Sequence, residues 1–243
     1  MTRTCSECPR SLDKRNANAV TCTDLCRARR RRRLAGVKPS IPHRRDELDR
    51  YYTDPAIARK CVLAVLPHLE RALHAPTHAD PRVPLDERRV LVEPSVGGGA
   101  FLSMFRELLP DVAVVGVDRD PESRVLTEYL ADYNVRADFA AWTPRPGLRI
   151  GAVVGNPPYN EAEAHCRHAI DLAGPDGVVA FLLPLAFRAS RIRQAFWRSF
   201  PAPITRALEE RPSFTGDGKT DSRDYALYVW GRHIPPEPGI GAV

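Results

Sequence analysis

No apolar run in the 243 residues approaches the roughly 18 that a membrane-spanning helix needs. The N-terminus has no apolar stretch resembling a secretory signal, so the expectation is a cytoplasmic protein without a membrane partner. No internal repeat is present, which argues against a solenoid or propeller. The length suits one full domain with a small appendage, not two domains of ordinary size. Acidic residues are scarce at one end: residues 1–45 hold 13 Lys and Arg against 3 Asp and Glu, whereas the remainder holds 23 against 27. The net charge of +6 therefore belongs to the N-terminal end, centred on Arg27 and the run Arg29 to Arg33. Two readings stand for that run, contact with a polyanion such as nucleic acid and a solvated arm.

Cysteine is rare in the body, where Cys61 and Cys166 each stand alone in helix-like sequence and read as small buried hydrophobes. The other four lie in the first 26 residues as Cys5-x2-Cys8 and Cys22-x3-Cys26. In a reducing compartment such pairs are thiolate ligands for a tetrahedral zinc more often than disulfides, and free thiols are the alternative. Too few apolar residues separate the pairs to build a core, so zinc would supply most of the stability of this small knuckle. The pairs, with the basic "CTDLCRARRRRR", resemble bacterial and phage zinc ribbons, and residues 1–45 are assigned to that segment.

Residues 46–243 read as one domain. "YYTDPAIARKCVLAVLPHLERAL" begins an amphipathic helix, with Thr53 or Asp54 as N-cap and Pro55 at the first helical position. Apolar strands are expected at 90–92, 112–117, 135–138, 150–155 and 178–183. Helical patterns fall at 101–109, 123–133, 161–172 and 190–200. Strand and helix alternation predicts an α/β domain, a Rossmann-like doubly wound sheet that is mostly parallel. The ending "ITRALEERPSF" and "DYALYVWGRH", separated by "TGDGKTDSR", predicts a hairpin and one antiparallel strand near the C-terminus.

Three strand ends carry acids. Glu93 precedes the turn "PSVGGG", where Gly97, Gly98 and Gly99 permit close backbone approach by a ligand. The spacing lacks the complete GxGxxG of dinucleotide sites, and Glu93 would repel a phosphate but attract an ammonium group. Asp118 ends the next strand, where a carboxylate can accept from both hydroxyls of a ribose. Asp138 ends the third beside Phe139, an acceptor next to an aromatic that suits an adenine. Finally, "VVGNPPY" ends a strand in two prolines, which stiffen the corner that carries Asn156. An ordinary Asn-Pro turn is the plainer reading of that motif taken alone.

Together these stretches resemble the class I S-adenosylmethionine-dependent methyltransferases, most closely the bacterial and phage adenine amino-methyltransferases. "EPSVGGGAF" is similar to their cofactor motif, "YYTDP" to the element before it, "VDRD" and "ADF" to their ribose and adenine contacts, and "NPPY" to their catalytic motif. The resemblance covers about residues 49 to 232. It implies that Glu93 meets the methionine ammonium of the cofactor and that the backbone at Gly97 and Gly99 borders the methionine. Asp118 would hold the ribose, Asp138 and Phe139 the adenine, and Tyr52 and Thr53 would close over the cofactor.

It also implies that the Asn156 side-chain oxygen and the Pro157 carbonyl accept from a target amino group while Tyr159 stacks on the base. Only 84 residues follow Tyr159, too few for a large recognition domain, so the N-terminal segment is the expected source of nucleic-acid affinity. The loop carrying Arg211, Lys219 and Arg223 is a second candidate contact, or a solvated hairpin loop. The expected substrate is DNA adenine. RNA adenine, a protein glutamine and a non-catalytic zinc-dependent nucleic-acid binder remain as alternatives.

Overall fold

The computed structural model describes residues 52–73, 89–120, 123, 130–214, 220–232 and 234. The four N-terminal cysteines, the arginine run, Lys219 and the glycines at 216 and 218 lie outside them. So does the whole segment 1–45.

Seven strands form a single sheet. β1 spans Arg89–Glu93, β2 Val114–Asp118, β3 Tyr133–Arg136, β4 Arg149–Gly155, β5 Val178–Pro184, β6 Ile204–Ala207 and β7 Tyr225–Trp230, in the order β3-β2-β1-β4-β5-β7-β6. All neighbouring pairs from β3 to β5 are parallel, and β7 runs antiparallel to both β5 and β6. The expected mostly parallel sheet with one reversed strand is what forms. β5 and β7 are buried along their whole lengths, so their sequences are apolar runs without a polar face.

Helices cover both faces. On one face lie α1 (Pro55–Leu73) and α2 (Ala100–Leu108), packed on Leu91, Val114 and Val154. The opposite face carries α3 (Ala162–Ala173) and the short helices α4 (Ala186–Ala189) and α5 (Gln194–Ser199), packed on Val92, Val153 and Phe181. Asp54 is the cap of α1, its Oδ1 accepting from the Ala56 N–H at 2.7 Å. Pro67 lies inside α1, yet the helix continues to Leu73 because Val65, Leu69, Ala72 and Leu73 stay buried on the sheet.

Several boundaries differ from the sequence expectation: β2 begins at Val114 and not at 112, and the helix expected over 123–133 lies largely outside the described residues, its last residue Tyr133 opening β3. β3 lies at Tyr133–Arg136, two residues before the expected strand, because Asp138 leaves the sheet to cap the 3₁₀ turn Phe139–Ala141. The helix expected over 190–200 begins one residue later as the 3₁₀ turn Arg191–Arg193 and continues as α5 to Ser199, because Ser190 has extended backbone angles and separates it from α4.

The strand order reverses between β1 and β4, and ligands of open α/β sheets bind at the carboxyl ends of strands at such a point. Close approach of the loop after β1 depends on Gly116 in β2, where an added Cβ would stand 2.9 Å from Cγ2 of Val96 and 3.2 Å from Oδ1 of Asn134. Gly116→Val is expected to cost about 1–3 kcal/mol by overpacking. Urea denaturation of the variant measures it, and an unchanged midpoint would refute this account of the loop.

Candidate active site

The reversal brings together two residues 63 positions apart in sequence, Glu93 at the end of β1 and Asn156 just after β4. Gly155 makes the approach possible, since a Cβ there would already stand 3.1 Å from Cδ of Pro94. A small depression forms above the strand ends, lined by Tyr52, Thr53, Glu93, Gly97, Phe101 and Asn156. Gly97 has φ 48° and Gly99 φ 80°, left-handed conformations that glycine adopts without steric cost. Gly99 is the N-cap of α2, so the Gly-rich turn presents the start of that helix to the depression.

Glu93 is only 2% exposed. Burial, with Asp118 nearby, holds its carboxyl well above the usual range, and the Leu102 N–H in the first turn of α2 works in the opposite direction. Its Oε2 has no hydrogen-bond partner. Asn156, 9% exposed, donates through Nδ2 to Oγ1 of Thr53 at 3.0 Å, and its Oδ1 has no partner. Two residues that line one small depression therefore each carry a buried acceptor with nothing to accept from. An unsatisfied buried acceptor costs free energy, and a donor ligand would recover it.

Of the other predicted residues, Tyr52, Thr53 and Gly97 line the depression with this pair and Asp118 is bonded to its Gly-rich turn, whereas Asp138 and Phe139 do not line it. Asp118 accepts from the Gly97 N–H through Oδ2 and from the Asp120 N–H through Oδ1, both at 2.8 Å, which ties the Gly-rich turn to the tip of β2. Each oxygen keeps a second lone pair for a ligand hydroxyl. Tyr52 lies beside Gly97, with its ring carbon Cδ1 3.5 Å from the place a Cβ would take. Thr53 orients the Asn156 amide, a role that the sequence did not reveal. Asp138 is exposed and engaged with the Ala140 N–H at 3.0 Å. The Phe139 ring is 2% exposed, stacked on His165 at 5.3 Å and edge-on to His168 at 5.1 Å, so it can offer a ligand little more than its edge.

At the second corner the Pro158 carbonyl accepts from the Glu161 N–H at 3.0 Å, closing the turn that leads into α3. Pro157 is buried beneath it. Tyr159 is half-buried, its ring 5.5 Å from that of Tyr225 and 6.4 Å from that of Phe214. Burial, then Tyr225, pushes its phenol well above its ordinary value, so it is no base at neutral pH. Arg211 is ion-paired with Asp224 at 2.8 Å.

Sequence reasoning missed Ser95 and His165. The His165 ring is buried, with Nε2 3.4 Å from Oγ of Ser95 and Nδ1 3.1 Å from the Glu161 carbonyl, and burial lowers its pKa. It links the Gly-rich turn to the helix behind the Asn-Pro-Pro-Tyr corner. The available signal was a histidine on the otherwise apolar stripe Ala162, Cys166, Ala169 and Ala173. No cluster of three His, Cys, Asp or Glu side chains able to hold a metal occurs among the described residues. No described helix is long and apolar enough to cross a membrane.

No protein-family model matches the sequence, and no curated protein matches it either. Solved structures do. A candidate RNA methyltransferase from Pyrococcus horikoshii is similar with 16% identity and a TM-score of 0.52, over 77% of this chain and 89% of the other. A candidate class I S-adenosylmethionine-dependent methyltransferase from Listeria monocytogenes shares 15% identity with a TM-score of 0.51, over 88% and 71%. A protein from Thermoplasma acidophilum shares 10% identity with a TM-score of 0.52, over 87% and 99%. At these identities the likeness establishes the architecture: the chain has the Rossmann-like fold found among class I S-adenosylmethionine-dependent methyltransferases.

Proposed function

We propose that the chain transfers a methyl group from S-adenosylmethionine to the exocyclic amino group of adenine in DNA. The observation that carries this reading is the pair of buried, unpartnered acceptors, Glu93 Oε2 and Asn156 Oδ1, in one depression. One acceptor suits a cation and the other suits an NH2 group. S-adenosylmethionine supplies both the ammonium and, on its sulfonium, the methyl whose bond to sulfur breaks as the bond to nitrogen forms. Glu93 would hold the ammonium, the turn at Gly97 and Gly99 would border the methionine, and Asp118 would take the ribose hydroxyls. Asp138 and the edge of Phe139 would meet the adenine.

The chain's own contribution to the reaction is positioning and charge stabilisation. An adenine amino nitrogen has its lone pair delocalised into the ring. Asn156 Oδ1 and the Pro157 carbonyl, both acceptors, favour a pyramidal nitrogen and offset the positive charge that grows on it. The proton then leaves to water, so no strong base is needed, in keeping with a Tyr159 that stays protonated. Tyr159 provides a face for the base, which must leave a duplex to reach this depth.

Labelled S-adenosylmethionine offered with duplex DNA, single-stranded DNA, RNA and protein tests the reading. RNA belongs in the set because one structural neighbour is a candidate RNA methyltransferase. Label on a base other than adenine, or on protein glutamine, would overturn the adenine assignment. For the N-terminal segment, the proposal is one structural zinc held by Cys5, Cys8, Cys22 and Cys26, which rests on their spacing. Metal analysis of the purified chain is expected to find about one zinc per molecule, and a metal-free chain of full activity would refute it.

A further inference from the structure

The stretch Leu185–Pro203, which follows β5, contains four arginines and no acidic residue. It leaves the sheet at the edge that carries Asn156. Pro184 pairs with Tyr225, whose ring packs on Tyr159, and the Leu185 N–H donates to the Asp224 carbonyl at 2.8 Å. The chain then forms α4, the 3₁₀ turn and α5. The Arg188 guanidinium lies 4.5 Å above the Trp197 ring, and that of Arg193 lies 4.5 Å above Phe187. Between Arg191 and Arg193 the Ile192 side chain is 90% exposed, far more than any other large hydrophobic among the described residues.

The arginines here differ from several elsewhere among the described residues in lying close together with no acidic residue between them. Arg106, Arg119, Arg167 and Arg211 are each ion-paired with a carboxylate. Arg188, Arg191, Arg193 and Arg198 have no such pair among the described residues. A guanidinium stacked on an aromatic ring keeps its N–H edge free and loses little further freedom when that edge binds phosphate. Cations on both sides of one water-exposed aliphatic side chain, with Arg188 in the helix just before them, make a surface matched to a polyanion whose interior is apolar, the chemistry of a nucleic-acid strand.

We propose that the turn Leu185–Arg193 holds the strand that carries the target base. Arg188, Arg191 and Arg193 take phosphate oxygens, and Ile192 leans on the bases beside the flipped one. The proposal rests on the nucleic-acid reading of the site.

The test is binding of the full chain to a fluorescent duplex oligonucleotide across a salt series, without methyl donor. Each lost phosphate contact lowers the slope of log affinity against log salt by about 0.9. Arg188→Gln with Arg191→Gln should therefore lower it by about 2, and the advantage of the wild type should grow about tenfold from 200 to 50 mM salt. The single exposed variant Arg191→Gln should show about half that change, with an unaltered melting temperature, which separates a lost contact from a damaged fold. Parallel lines for wild type and both variants would overturn the proposal, as would a wild type that binds no oligonucleotide. A wild type that binds with the larger slope yet labels no nucleic acid would instead refute the proposed reaction and leave this surface standing. The same series with RNA tells which phosphodiester polymer the turn prefers.

Discussion

Asn156→Ala should lower the rate of methyl transfer by about 10²–10³-fold, the cost of deleting one preorganised group aimed at developing charge. Affinity for S-adenosylmethionine should stay close to wild type, and the melting temperature should fall by no more than a few degrees, about the worth of the one hydrogen bond lost to Thr53. The argument rests on how the amide is held. Nδ2 donates to Thr53 at 3.0 Å, while Oδ1 of this depression-lining residue is buried and unpartnered. Because that oxygen satisfies nothing within the protein, removing it breaks no internal hydrogen bond through Oδ1.

The loss therefore falls mainly on turnover, while folding gives up the Nδ2 bond to Thr53, worth about 0.5–1.5 kcal/mol, against relief of the unpartnered Oδ1. Thr53→Val provides the complementary test. It keeps Asn156 but removes the acceptor that fixes the amide, so the donor end of the amide can turn toward the substrate NH2. A loss of about tenfold in turnover, equivalent to one hydrogen bond of orientation, is expected. Single-turnover assays with saturating cofactor measure both variants. A full rate in Asn156→Ala would remove this residue from the chemistry.

Much of this arrangement could be read from one dimension because each part is local. The strand-ending Glu93, the glycines after it and the prolines after Asn156 all lie within short stretches whose backbone requirements depend on residue type alone. What escaped the sequence was long-range. Thr53 meets Asn156 across 103 positions, and Ser95 meets His165 across 70. Nothing in the composition of either stretch encodes the partner, since a threonine beside an N-cap aspartate is sufficiently explained by the helix it precedes.

The boundary errors are of another kind. Asp138 was read as the end of a strand because apolar residues lead up to it, but its side chain captures the Ala140 N–H and ends the pairing at Arg136. The helical pattern over 190–200 is met from Arg191 onward, but its first turn is 3₁₀ because it follows directly on an extended Ser190. That 3₁₀ first turn carries Ile192. An unbroken amphipathic helix gave no reason to expect so exposed an isoleucine.

Glu93→Gln should move two quantities in opposite directions. In the ligand-free protein, burial, reinforced by Asp118, raises the Glu93 pKa well above its ordinary value. The folded state then holds this proton more tightly than the unfolded chain does. The resulting stability is full below the unfolded value of about 4.3 and is lost as pH rises toward the folded value. Glutamine carries no charge to desolvate, so the variant without ligand should melt higher than wild type at neutral pH. For a domain of this size each kcal/mol is about 2–4 °C.

Its affinity for S-adenosylmethionine should nevertheless fall by about 10–100-fold, the worth of one charge-assisted hydrogen bond. A carboxylate kept only for packing or for the fold would not give this pair of signs. The ammonium favours the ionised acid, so cofactor binding to the wild type should expel a proton at pH values below the raised pKa. Calorimetry in buffers of different ionisation heats should detect that release in the wild type and find it missing in Glu93→Gln. If the variant melts lower without ligand, or binds the cofactor as tightly as wild type, Glu93 is not the ammonium site.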